Sequence, residues 1–191
     1  MKNSTKILIV IGIVAIALIM GSVGMYNNLV TQSESVENSF SQVETQLQRR
    51  NDLIPNLVET VQRYADHEEE IFTEVAEARS RLMGAGSVEQ QAEADAELSG
   101  ALSRLLAISE NYPELRANEN FINLQDELAG TENRISTARR DYNETVRSYN
   151  TAIRRFPTNI FAGMFNFDSA DYFEAEEGAT ENPDVGELFG D

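Results

Sequence analysis

His67 stands among carboxylates: Asp66, Glu68, Glu69 and Glu70 flank it, and on a helix His67 and Glu70 would share a face. These are donors that a divalent cation takes, so a metal- or small-ligand-binding bundle using the 66–70 cluster is one reading. It is the weaker reading. A four-helix di-iron centre needs two Glu-x-x-His pairs and further Glu residues from two other helices, and this chain has 1 His. A solvated charged face asks less of the same residues, so no metal ligand and no cofactor is assigned. Other chemistries lack their residues too. With 0 Cys there is no thiolate nucleophile or sulfur-bound metal. The sequence contains no Gly-x-Ser-x-Gly elbow, no phosphate loop ending in Gly-Lys and no His-Glu-x-x-His. Gly84-Ala85-Gly86 lacks the lysine and the preceding strand that phosphate binding requires, and reads as a turn. No catalytic residue is assigned, and the chain reads as a non-enzyme.

Two charges stand out by position instead. Steps of three and four run through Leu29, Ser33, Val36, Phe40, Val43, Leu47, Arg50, Ile54, Leu57, Val61, Tyr64, Glu68, Ile71, Val75, Ala78 and Leu82. That is the stripe of an amphipathic helix. Arg50 and Glu68 fall on it where apolar groups belong. A buried charge is tolerated when paired, so each is expected to meet an opposite charge on a neighbouring helix, with Arg139, Arg140 or Glu132 in reach. A half-exposed rim, with the long side chains reaching water, is the other reading. Pro55 interrupts the same stripe without shifting its phase. Either one helix kinks there, or Asn51 or Asp52 caps a second helix with Pro55 in its first turn. The unbroken phase favours the kink.

Gly84 to Ser87 ends this segment, and Ser87 with Gln90 forms a capping-box signature for a helix over about 88–111. Its apolar face is Ala94, Leu98, Ala101, Leu102, Leu105 and Ile108, and Pro113 marks its end. The last helix carries Phe121, Leu124, Leu128, Thr131, Ile135, Ala138, Tyr142, Thr145, Tyr149, Ala152 and Phe156 along one face and stops at Pro157. No stretch alternates with the period of a strand. The fold class is therefore all-α: an elongated up-and-down antiparallel helical bundle of four-helix type, with short turns joining antiparallel neighbours. Residues 26–167 form this bundle. Residues 168–191 hold nine carboxylates and no base, which describes a largely disordered acidic tail. Between them, Ile160, Phe161, Met164, Phe165 and Phe167 crowd a short segment. They either plug the end of the bundle core, which is favoured, or touch a membrane surface.

Ahead of the bundle, residues 7–25 read ILIVIGIVAIALIMGSVGM, 19 positions without a charge. As a helix they reach roughly 29 Å, the depth of a hydrocarbon core. Secretory apolar regions run only about 7 to 15 residues, so an uncleaved transmembrane helix is expected. Lys2 and Lys6 precede the run and Glu34 is the first charge after it. That leaves residues 1–6 in the cytoplasm and the bundle outside. With 32 Asp plus Glu against 15 Lys plus Arg, the net charge of -17 argues against nucleic acid as a partner. The partners expected are the lipid bilayer, further copies of the chain and other membrane proteins.

Several stretches are similar to one family. VETQLQRRNDLIPNLVETVQRYADHE at 43–68, LLAISENYPELRANENFINLQDELAGTENRISTARRDYNETVRSYNTAIRRFPTNIFAGMF at 105–165 and YFEAEEGA at 172–179, behind an anchor followed by Tyr26-Asn27, resemble the LemA family of bacterial and archaeal membrane proteins. The resemblance implies a long-helix bundle on one N-terminal transmembrane helix, no enzymatic activity, and scaffolding or assembly at a membrane. Relatives it implies include proteins of magnetosome membrane formation. The acidic end from Glu181 matches no part of that pattern.

Overall fold

The structure is a computed structural model. It describes residues 2–65 and 67–173, and only the backbone of residues 2–5, 7, 14, 15, 17 and 18. Six helices follow one another: α1 (Lys2–Gln62), α2 (Glu69–Gly84), α3 (Val88–Ser109), α4 (Pro113–Arg116), α5 (Glu119–Arg154) and α6 (Thr158–Phe165). Among the described residues there is no strand. The fold is all-α, as its periodicity requires.

The chain passes through Pro55 in unbroken helix, but that helix does not continue to Leu82. It ends at Gln62, where Tyr64 N and Ala65 N both bond to Val61 O, and α2 starts at Glu69. Glu69 and Glu70, in the first turn of α2, face the positive end of the helix dipole, which favours a helix start there.

By its contacts the chain divides into two compact units, Met1–Val43 with Ala138–Ala170 and Glu44–Thr137 with Asp171–Asp191. In the second, Arg81 pairs with Glu97 and Arg104 with Glu74, so α2 and α3 are antiparallel. Glu44 meets Gln91 and Arg50 meets Asp95, which makes α1 and α3 parallel. Arg50 meets Glu132 and Tyr64 meets Asn118, which sets α5 against α1. The four helical segments of this unit thus alternate in direction. Their core is Leu47, Ile54, Leu57, Val61, Val75, Leu98, Leu105, Leu115, Phe121 and Ile135.

In the first unit Leu29, Val36 and Val43 of α1 are buried, as are Tyr142, Val146, Tyr149 and Ile153 of α5, and Phe40 lies 5.5 Å from Tyr142 between ring centres. Beyond Tyr142 the buried stripe of α5 keeps the expected Tyr149 but otherwise shifts by one residue. Val146, Asn150 and Ile153 are inside, while Phe156 is 82% exposed. A straight helix drifts about 20° per heptad from a strict seven-residue repeat, and over four heptads that approaches the step of one residue.

The turn between α2 and α3 carries the Ser87 half of the expected capping box, while Gln90 reaches one residue further back than the cap. Ser87 Oγ accepts from Gln90 N at 3.2 Å, and Gln90 Oε1 accepts from Gly86 N at 3.0 Å. Ser87→Ala should destabilise the protein by about 1 kcal/mol, read as a lower urea midpoint with unchanged slope.

Candidate functional site

Arg50 is 2% exposed, deep in the second unit. Its guanidinium forms ion pairs with Asp95 of α3 and Glu132 of α5, donates to Ser99 Oγ at 3.1 Å, and reaches Asp95 O at 3.4 Å. Three helices are tied at one point. Burial pushes the Arg50 pKa down and the Glu132 carboxylate pulls it back up. Guanidinium stays charged regardless, so the packing must supply its counter-charges. Glu132 is the partner named from sequence; Asp95 is the one missed. It is fully buried on the same face as Gln91 and Leu98, and reading α3 for on-face acids as well as apolar groups would have found it.

Pro55 has its own answer. A proline inside a helix leaves the carbonyl four residues back without its donor. Here that carbonyl belongs to Asn51, and Arg79 Nε of α2 donates to it at 3.3 Å. Helix α1 therefore continues through Pro55 because another helix supplies the missing donor.

Glu68 corrects the expectation of an opposite charge. It lies at the start of α2 rather than mid-helix, and its carboxylate accepts from the Tyr112 hydroxyl at 3.5 Å. Asp66 lies outside the described residues. Among the described residues, no three His, Asp or Glu side chains are grouped to hold a metal ion. Glu68, Glu69 and Glu70 of the cluster stand at the start of α2.

The segment around α6 is the remaining site. Phe165 and Phe167 pack edge-on against Tyr26 of α1, with ring centres 4.9 and 5.8 Å apart. Asn166 adopts a left-handed conformation at φ 56°, and Phe167 N bonds to Ala162 O at 2.9 Å, closing α6. Beyond it, Tyr149 donates to Asp168 O at 2.9 Å, while Asn150 donates to Ala170 O at 2.8 Å and accepts from Ala170 N at 2.9 Å. Residues 168–170 are thus held on α5, although the acidic tail was set to begin at 168; from Glu174 the tail lies outside the described residues. Burial raises the Tyr149 pKa, and the Asp168 charge adds to the effect while a hydrogen bond with Ser33 opposes it. The favoured core plug is corrected. Only Ala162 of α6 is buried, Phe161 and Phe167 are half-buried, and Ile160, Met164 and Phe165 are 53%, 66% and 48% exposed.

The pattern of one family matches residues 39–186. The chain belongs to the LemA family. Magnetosome protein MamQ 2 of Paramagnetospirillum magneticum is 30% identical over 95% of this chain and 76% of its own length. Magnetosome protein MamQ of Magnetospirillum gryphiswaldense is 26% identical over the same shares. Protein LemA of Metamycoplasma hominis is 26% identical over 87% of this chain and 76% of its own. The LemA match contains Arg50, Pro55, Glu68 and all of α6, whereas Tyr26 and the apolar run precede it.

The Arg50 knot gives a sharp expectation. Arg50→Met leaves Asp95 buried without its cation and should cost about 3–5 kcal/mol, while Arg50→Met with Asp95→Leu should cost much less than that single change. Arg79→Met should cost about 1–3 kcal/mol through the unpaired Asn51 carbonyl, and less in a Pro55→Ala background, where α1 supplies its own donor. Chemical unfolding of six variants, the four single changes and the two doubles, measures both cycles.

Proposed function

We propose that this LemA-family chain is a single-pass, membrane-anchored, non-catalytic helical protein that acts as a scaffold or assembly module. Residues 7–25 cross the bilayer, residues 1–6 stay in the cytoplasm, and the helical units stand on the far side. One observation carries the reading: the first turns of α1 present large apolar groups outward, with Leu8, Ile16 and Met20 at 67%, 60% and 71% exposure. Left in water, each forgoes about 1.5–3 kcal/mol of burial, which lipid supplies all round the helix. Among the described side chains no helix is long and apolar enough to cross a membrane. Ile7, Val14, Ala15, Ala17 and Leu18, which complete the run, lie outside that set.

The scaffold role is supported by what the rest of the chain offers. Its polar positions make helix-to-helix ties and helix caps, and its outer faces are rich in acids and arginines suited to protein partners, either further copies or other membrane proteins. The net charge of -17 works against nucleic acid. Relatives named as magnetosome proteins fit a part in a larger assembly.

Alkaline carbonate should leave the protein in the membrane pellet and detergent should release it; release by carbonate alone contradicts the anchor. External protease on spheroplasts should remove the helical units while sparing an N-terminal tag. Crosslinking in native membranes should give discrete adducts, and a purely monomeric pattern across crosslinker lengths contradicts the scaffold.

A further inference from the structure

Helix α6 buries its smallest side chain and shows its largest. Ala162 is 4% exposed, whereas Ile160 and Met164, one turn apart on the same face, are 53% and 66% exposed, and Phe156 just before the helix is 82% exposed. In water alone the opposite orientation would be favoured. Looseness does not account for it, because the first turn of α6 bonds back to the end of the preceding segment, Asn159 N to Arg155 O at 2.8 Å, and the chain at and beyond its far end is held. Phe165 and Phe167 grip Tyr26, and Tyr149 and Asn150 hold Asp168 and Ala170. A rigid frame points this apolar face outward.

Two further observations name what covers it. Tyr26 follows directly on the uncharged run 7–25, so the residue that α6 packs against lies at the end of the proposed membrane helix. Tyrosine is also a residue that favours the headgroup level. The local charge differs from the rest of the chain as well. In a sequence with 32 acids, residues 145–167 contain none and carry Arg147, Arg154 and Arg155. Arg147 and Arg155 line a groove of about 540 Å³ with Asn28 and Gln32, which are near neighbours of Tyr26 in α1, with Thr158 of α6, and with one carboxylate, Glu144. Exposed apolar groups with Arg147, Arg154 and Arg155 close by match an anionic lipid surface.

We propose that α6 is an interfacial foot: with Phe156 it lies in the headgroup boundary of the same bilayer that residues 7–25 cross, and so fixes the first helical unit against the membrane at a second point. This rests on the anchor reading above, and the test separates the two. The chain has 0 Trp, so one introduced indole reports its own surroundings. Full-length Met164→Trp and, separately, Val23→Trp are reconstituted into phosphatidylcholine–phosphatidylglycerol vesicles with or without bromine in the upper acyl chain.

Fluorescence at 23 reports the anchor and at 164 the foot. The expectation is quenching at both sites, on the order of twofold at 164, since interfacial helices sink about 5–10 Å into the boundary. Quenching at 23 with unquenched, red-shifted emission at 164 overturns the foot and leaves the anchor standing. Quenching at 23 with blue-shifted but unquenched emission at 164 also overturns the foot, and assigns the face to a second copy or a protein partner. No quenching at either site removes the anchor and the foot together.

Discussion

Water does not tolerate a long helix that is apolar all round, and α1 meets that constraint in two different ways along one continuous element. From Leu29 onward it turns a single stripe inward, burying Leu29, Val36, Val43, Leu47, Ile54, Leu57 and Val61 against other helices. From Ile7 to Met25 its sequence carries no charge. Its apolar groups then need a surrounding that accepts them in every direction, and a bilayer is such a surrounding. The sequence of the helix therefore says where protein contact begins and where the proposed lipid contact would end.

Polar interruptions of the inward stripe are each answered from a different helix. Arg50 draws Asp95 from α3 and Glu132 from α5; the carbonyl freed by Pro55 draws Arg79 from α2. Each contact is directional, so it fixes register in a way that interchangeable aliphatic groups do not. Stability alone would be served as well by well-packed apolar residues at positions 50 and 95 together. A protein whose work is to present surfaces at set positions has a use for defined register, and here the physics of the core and the proposed role agree.

Much of this was legible in the sequence because it depends on local rules. The all-α class follows from period and the absence of alternation, the start of α3 from Ser87 and Gln90, and the end of α5 from Pro157. What escaped depends on partners or on accumulated geometry. The break after Gln62 was hidden because the apolar spacing keeps its phase across residues 63–68, and only the charge run at 68–70 betrays it. The face of α5 moved from Thr145 and Ala152 to Val146 and Ile153 because small angular drift adds up along a helix of 36 residues. Asp95 was passed over since a search for apolar periodicity discards acids, although an on-face acid is the counterpart an on-face Arg50 demands. Glu68 was misplaced for the same reason as the break.

The outward face of α6 joins the two halves of the account, because its neighbour Tyr26 is where the uncharged run of α1 gives way to the packed part. The central claim is that the apolar run stays on the mature chain and holds it in the membrane. Intact-mass spectrometry of the protein extracted from the membrane fraction tests this most directly. Retention predicts the full 21.3 kDa of the 191-residue chain. A mass lacking the residues up to the end of the apolar run, or the full mass recovered from the soluble fraction, would contradict it.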